Sequence, residues 1–111
     1  MIFGFGKARH RDISAPELAQ MLNMGSVQIV DVREAHEFAA GHIPDAINLP
    51  LSQFRPSQLP EARGRTLVLN CLGGKRASIA LDRCKAEGST VDTKLSGGFG
   101  AWRSAGFPVA Y

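Results

Sequence analysis

The stretch Thr66-Leu67-Val68-Leu69-Asn70-Cys71-Leu72-Gly73-Gly74-Lys75-Arg76-Ala77 decides how this chain is read. Its first residues, 66–70, are apolar and β-leaning, the mark of a buried strand. From Arg76 a helix-favouring run continues to Glu87, and Gly88 ends it. A cysteine therefore stands at the tip of a strand, and a glycine turn leads from it into a helix N-terminus. Such a turn aims successive backbone N–H groups inward, and the helix adds a partial positive charge of roughly half a unit. Both features favour thiolate over thiol, and Lys75 and Arg76 add full charges close by. The stretch reads as a nucleophile facing an anion site. That reading fails if the sulfur lies buried under side chains with the surrounding amides turned outward.

Working outward, composition sets the frame. A chain of 111 residues suits one domain with a modest core, and 44% hydrophobic with 21% charged residues is ordinary for a globular protein. No run approaches a membrane span, and Met1-Ile2-Phe3-Gly4-Phe5-Gly6 is too short for a signal-peptide core. A cytoplasmic location is the expectation. The net charge of +3 comes from scattered cations with no basic stripe, so neither nucleic acid nor membrane is an expected partner, and a monomer is expected. Cys84 lies in the helical run with Ala77, Ala80 and Leu81 on one face, which makes it a core thiol. A resolving role for it would need a reach of three helical turns.

Residues 1–11 read as an N-terminal arm, with His10 exposed on it, and residues 12–111 as the domain. Asp12-Ile13 is a short strand, and Ser14-Ala15-Pro16-Glu17 is a capping box that opens a helix at Ala15. Val27 to Val32 is a strand, residues 34–40 a short helix, residues 46–49 a strand, and residues 51–58 a loose helical turn. After the cysteine helix, Val91 to Leu95 alternates as a last strand. Ser96-Gly97-Gly98 is a flexible turn, and residues 99–105 form a final helix that carries Trp102. Strands alternating with helices across short links give an α/β fold, a central parallel sheet of about five strands with helices on both faces. Ligands of such sheets bind beyond the carboxyl ends of the strands, where Cys71, Asp31 and Ser96 fall.

Several segments together resemble the rhodanese-like (sulfurtransferase) domain family. Val30-Asp31-Val32-Arg33-Glu34 resembles its Asp-Val-Arg motif, and Gly41-His42-Ile43-Pro44-Asp45-Ala46-Ile47-Asn48 its Gly-His-Ile-Pro-Gly-Ala-x-Asn segment. Cys71 to Arg76 is similar to its Cys-x-x-Gly-x-Arg loop. Gly97-Gly98-Phe99-Gly100-Ala101-Trp102 and Gly106-Phe107-Pro108-Val109 are similar to its closing segment. Four motifs in the right order span almost the whole chain. Two departures stand out. Asp45 replaces a usual glycine, which is expected to alter a turn, and Ala77 replaces a common serine or threonine, which removes a hydroxyl from the loop.

The resemblance implies sulfane-sulfur transfer by double displacement. Cys71 would attack the outer sulfur of a small anionic donor such as thiosulfate, and the persulfide would pass its terminal sulfur to cyanide or a thiol, including a protein thiol. The residues ask for the same chemistry: a soft nucleophile, and donors for a developing anion from Leu72, Gly73, Gly74, Lys75, Arg76 and Ala77. Lys75 and Arg76 are candidates to attract the donor, and Asp31 and Arg33 to support the loop. No metal-ligand set or nucleotide loop is present, so no cofactor is implied. A cysteine phosphatase or arsenate reductase is the first rival. Cys71 and Arg76 enclose four residues, one fewer than the loop such phosphatases share, so a tetrahedral phosphate would be crowded. A persulfide carrier or a regulatory binding module is the second rival, and the presence of Cys71 speaks against a purely inert module. His42 reads as a structural turn residue, and Phe99 and Trp102 as core, with Phe99 also a candidate for the pocket rim.

Overall fold

The structure is a computed structural model that describes residues 10–111, so the arm expected over 1–11 lies outside the described residues as far as Arg9. Five strands form one parallel sheet: β1 (Arg11–Ile13), β2 (Val27–Asp31), β3 (Ile47–Asn48), β4 (Thr66–Asn70) and β5 (Thr93–Leu95), in the order β1-β5-β4-β2-β3. Between and after them run α1 (Ala15–Asn23), α2 (Ala35–Ala39), α3 (Lys75–Ala86) and α4 (Gly98–Ser104).

The near-continuous apolar runs of β2 and β4 are explained by their place at the centre. The two strands pair from Val27↔Thr66 to Asp31↔Asn70, and both faces are covered. Side-chain alternation divides the core between those faces. Ile29, Val68 and Leu95 pack with Leu18 of α1 and with Phe99 and Trp102 of α4. Val30, Val32 and Leu69 pack with Ala77, Ala80, Leu81 and Cys84 of α3 on the other side. Because β4 is central, its carboxyl end opens between the two layers, and Cys71 is the next residue.

The boundaries follow local chemistry. Ser14 Oγ accepts from the Glu17 amide at 3.2 Å and starts α1 where the sequence placed it. Gly74, at φ 115°, caps α3 so that Lys75, not Arg76, is its first residue. Gly97 does the same for α4, which starts at Gly98. The expected helical turn over 51–58 is two separate 3-10 turns, Leu51–Gln53 and Pro56–Gln58. Pro56 forces Arg55 into extended backbone between them. β1 begins one residue early, at Arg11, which pairs with Thr93. His10 is not a free arm residue either: its Nε2 lies 2.8 Å from Asp82 Oδ1 on α3.

Candidate active site

The loop after β4 folds back on its own cysteine. Cys71 Sγ accepts from the Gly74 amide at 3.0 Å and the Ala77 amide at 3.3 Å. The amides of Lys75 and Arg76, in the first turn of α3, have no backbone partner among the described residues. Four N–H groups at one helix end thus serve the sulfur or are free for an anion beside it. Donors aimed at sulfur stabilise negative charge there, which is what a thiolate or a bound oxyanion needs. Leu72 and Gly73 form the exposed tip of the loop and do not bond to the sulfur. The amides turn inward as the sequence required, but the residue is more enclosed than expected. Cys71 is 1% exposed, its other side packed on Val30, Val32, Phe54 and Leu69.

What holds the loop in this shape is α4, read from sequence as following a flexible turn. The Phe99 amide donates to the Cys71 carbonyl at 2.7 Å, and the Gly100 amide to the Leu72 carbonyl at 3.0 Å. With these two carbonyls engaged outward, the following amides are left to face the sulfur. The approach is so close that a Cβ on Gly98 would stand 2.4 Å from the Cys71 oxygen and 2.5 Å from the Leu72 oxygen. Gly98 also sits at φ +60°, so it answers both to backbone freedom and to space. The glycine-dense run 97–100 was the signal for this contact.

Asp31 and Arg33 support the site one step removed. Asp31 is fully buried at the end of β2, and its Oδ1 accepts from the Arg33 amide at 2.9 Å. The Arg33 guanidinium closes a bidentate pair with the same carboxylate, at 2.8 to 3.1 Å, and donates to the Gly41 carbonyl. Its face lies 4.5 Å from the Phe99 ring centroid, and Arg103 stands 5.2 Å from that centroid. Asp31 therefore makes no hydrogen bond to the cysteine loop. The connection runs from the ion pair through Phe99, whose amide holds the Cys71 carbonyl. Phe99 is a buried core residue, 2% exposed, not a rim residue. Asn70, across from Asp31, is fully buried with neither amide atom hydrogen-bonded among the described residues, and nothing in the structure explains it.

The cations are placed differently from the expectation. Arg76 does not stand free to meet an anion. Its Nη1 and Nη2 donate to Glu37 Oε1 and Oε2 of α2 at 2.7 and 3.1 Å. Those hydrogen bonds hold the Glu37 carboxyl down at about 2, against burial that opposes the shift. Lys75 is exposed at the loop shoulder. Lys94 of β5, not singled out from sequence, brings its ammonium to 3.7 Å from where a Gly74 Cβ would be, and it pairs with Asp12. His42 is structural: its Nδ1 lies 2.7 Å from the Phe38 carbonyl and its ring stacks on Phe38. Asp45 keeps the turn that glycine would make, at φ 68°. Among the described residues no three His, Cys, Asp or Glu side chains converge as a metal site. A cleft of about 370 Å³ lies away from the cysteine, lined by Leu22, Pro44, Trp102 and Phe107.

Comparison with known proteins points the same way as the loop. The model of the rhodanese-like domain matches residues 14–105. The uncharacterized protein slr1261 of Synechocystis sp. is 44% identical over 87% of this chain, and the chain spans about half of it, 54%. Human thiosulfate:glutathione sulfurtransferase is 32% identical over 81% of this chain and 90% of its own length. The crystal structure of a rhodanese-related protein from Thermoplasma volcanium superposes with a TM-score of 0.75 at 28% identity, covering 91% of this chain and 98% of that one.

Proposed function

The chain belongs to the rhodanese-like domain family, and from that premise we propose that it moves sulfane sulfur through a persulfide on Cys71. At the level of the family it is a sulfurtransferase with a sulfur donor and a thiol acceptor. The specific reaction is the proposal. Cys71 thiolate attacks the outer sulfur of thiosulfate or a similar donor, the S–S bond of the donor breaks, and sulfite leaves with the electron pair. The persulfide Cys71–S–S⁻ then gives its terminal sulfur to cyanide, forming thiocyanate, or to a thiolate, forming a new persulfide, and the Cys71 thiolate returns. No proton carrier is required in either step, in keeping with the structural place of His42.

The observation that carries this reading is the pair of amides, Gly74 and Ala77, donating to Sγ at the start of α3. The same amides can follow charge onto the outer sulfur of the persulfide. The loop that encloses only four residues between Cys71 and Arg76 supports a sulfur atom over a phosphoryl group. Lys75 and the unpartnered amides of Lys75 and Arg76 would face the donor's oxygens. Ala77 offers its amide but no hydroxyl. A protein thiol is the second reading of the acceptor, favoured by Leu72, an apolar side chain 45% exposed at the loop tip beside the cysteine. No helix among the described residues is long and apolar enough to cross a membrane. A monomer in the cytoplasm, with neither nucleic acid nor cofactor, completes the proposal.

Intact mass spectrometry tests it. Incubation with excess thiosulfate should add one sulfur atom, cyanide should remove it, and Cys71→Ser should take up none. Release of phosphate from an aryl phosphate with no sulfur adduct would overturn the reading in favour of a phosphatase. A well-folded protein with neither signal would overturn it in favour of a binding module.

A further inference from the structure

Among the described residues, the two half-buried cations at the cysteine loop already have carboxylates: Lys94 has Asp12, and Arg76 has Glu37 in a two-bond fork. Lys75 is the remaining loop cation, and it is exposed. The site's attraction for an anion therefore rests on amide dipoles and one solvated ammonium, not on a guanidinium clamp. The Glu37 carboxylate, which faces Arg76 from α2 with only a quarter of its side chain exposed, offsets the guanidinium charge, and that loss weighs about twice as much on a dianion as on a monoanion.

We propose that Glu37, by occupying Arg76, sets the charge of the donor this site accepts, disfavouring dianionic thiosulfate relative to a monoanionic organic persulfide, R–S–S⁻. The assignment rests on the sulfurtransferase reading and deepens it. With such a donor the Cys71 thiolate attacks the terminal sulfur, the new Sγ–S bond forms as the donor S–S bond breaks, and R–S⁻ leaves with the electron pair. Two negative charges enter and two leave, and no oxidant or reductant is consumed. The apolar Leu72 at the loop tip gives the R group a surface that thiosulfate cannot use. Arg76 keeps its pair at any pH where donors are stable, since its hydrogen bonds hold the Glu37 carboxyl at about 2.

The test compares kcat/KM for thiosulfate and for 2-hydroxyethyl persulfide, a monoanion with no other charge, in the full chain. The ratio of the persulfide value to the thiosulfate value is the readout, because a merely structural role for Glu37 would move both donors together. Glu37→Gln keeps an oxygen that can accept from the Glu34 amide, as Glu37 Oε1 does at 3.0 Å, but loses the charge. It should lower the ratio about fivefold through a smaller thiosulfate KM. In Glu37→Gln with Arg76→Gln, both charges are gone and the ratio should return to about the wild-type value. Should Glu37→Gln fail to fold, Arg76→Gln alone leaves the carboxylate unpaired and should raise the ratio about fivefold. A ratio unmoved in these variants, or moved through kcat alone, overturns the assignment while Cys71 still loads with sulfur from either donor. If neither donor loads Cys71 in the wild-type protein, the sulfurtransferase reading itself falls and takes this one with it.

Discussion

The two cysteines of this chain are equally hidden and differently surrounded. Cys71 is 1% exposed, Cys84 is 0% exposed, neither is in a disulfide, and both pack in the same cluster under α3. Around Cys71 Sγ two amides converge, and the helix start lies ahead of it. Cys84 lies in the third turn of the same helix against Ala80 and Leu81, and burial pushes its thiol up. One sulfur is solvated by the backbone, and the other is an apolar filler. Burial alone separates nothing here. What the sulfur can accept does.

That contrast breaks first under alkylation. Cys71 adjoins the exposed loop tip at Leu72 and Gly73, whereas reaching Cys84 needs α3 lifted from the sheet. At pH 8, iodoacetamide should label Cys71 at least about 100-fold faster than Cys84 in folded protein, from the difference between a sulfur held by two loop amides and one desolvated under a helix. Peptide mapping over time gives both rates. Equal rates would mean that the loop amides confer nothing on the sulfur they face.

Gly98→Ala sharpens the contrast with a smaller effect. An added methyl would overlap the Cys71 and Leu72 carbonyls and demand a left-handed backbone from alanine. α4 must back away, the Phe99 and Gly100 amides lose their acceptors, and the loop loses the reason its amides turn in. Unfolding free energy should fall by about 2–3 kcal/mol, and sulfur loading of Cys71 should slow about tenfold as the amides lose their aim. Cys84, on the other face of the sheet from α4, should stay unlabelled. Chemical denaturation and single-turnover loading measure the two effects separately.

How far the sequence reached follows from the range of each interaction. The parallel sheet, the strand–loop–helix around Cys71 and the core role of Cys84 were legible because each is written in a local run: apolar β-leaning residues, a glycine turn, one apolar helix face. The pairing of Arg76 with Glu37 was not, since the partners are 39 residues apart and nothing near either names the other. For the same reason the docking of α4 on the loop was not legible, although residues 99–105 read as a helix and Ser96-Gly97-Gly98 as a flexible turn before it. Gly97-Gly98 announces a backbone that can bend, but only the docked carbonyls say what it bends around. Asp45 was legible in part. Its departure from glycine marked the turn, and the structure keeps that turn in left-handed backbone, a conformation aspartate tolerates better than most residues.

The mildest effect lies in how Cys84 links to pH, and Cys84→Ala isolates it. Removing a buried sulfur should cost about 1 kcal/mol at pH 7 through lost packing. Burial raises the folded thiol above its ordinary value of 9.0, so at alkaline pH the unfolded chain gives up this proton before the folded one does. The folded state then binds more protons, and stability must fall as pH rises past 9.0, the ordinary thiol value. The loss for this one group can be no steeper than about 1.4 kcal/mol per pH unit. Alanine has no such proton, so the wild-type advantage should shrink between neutral pH and the alkaline range, while other groups titrate alike in both proteins. Urea unfolding of the pair at matched pH values, under reducing conditions, reads the gap directly. A constant gap would mean that Cys84 is not desolvated in the folded state, and its contrast with Cys71 would then reduce to accessibility.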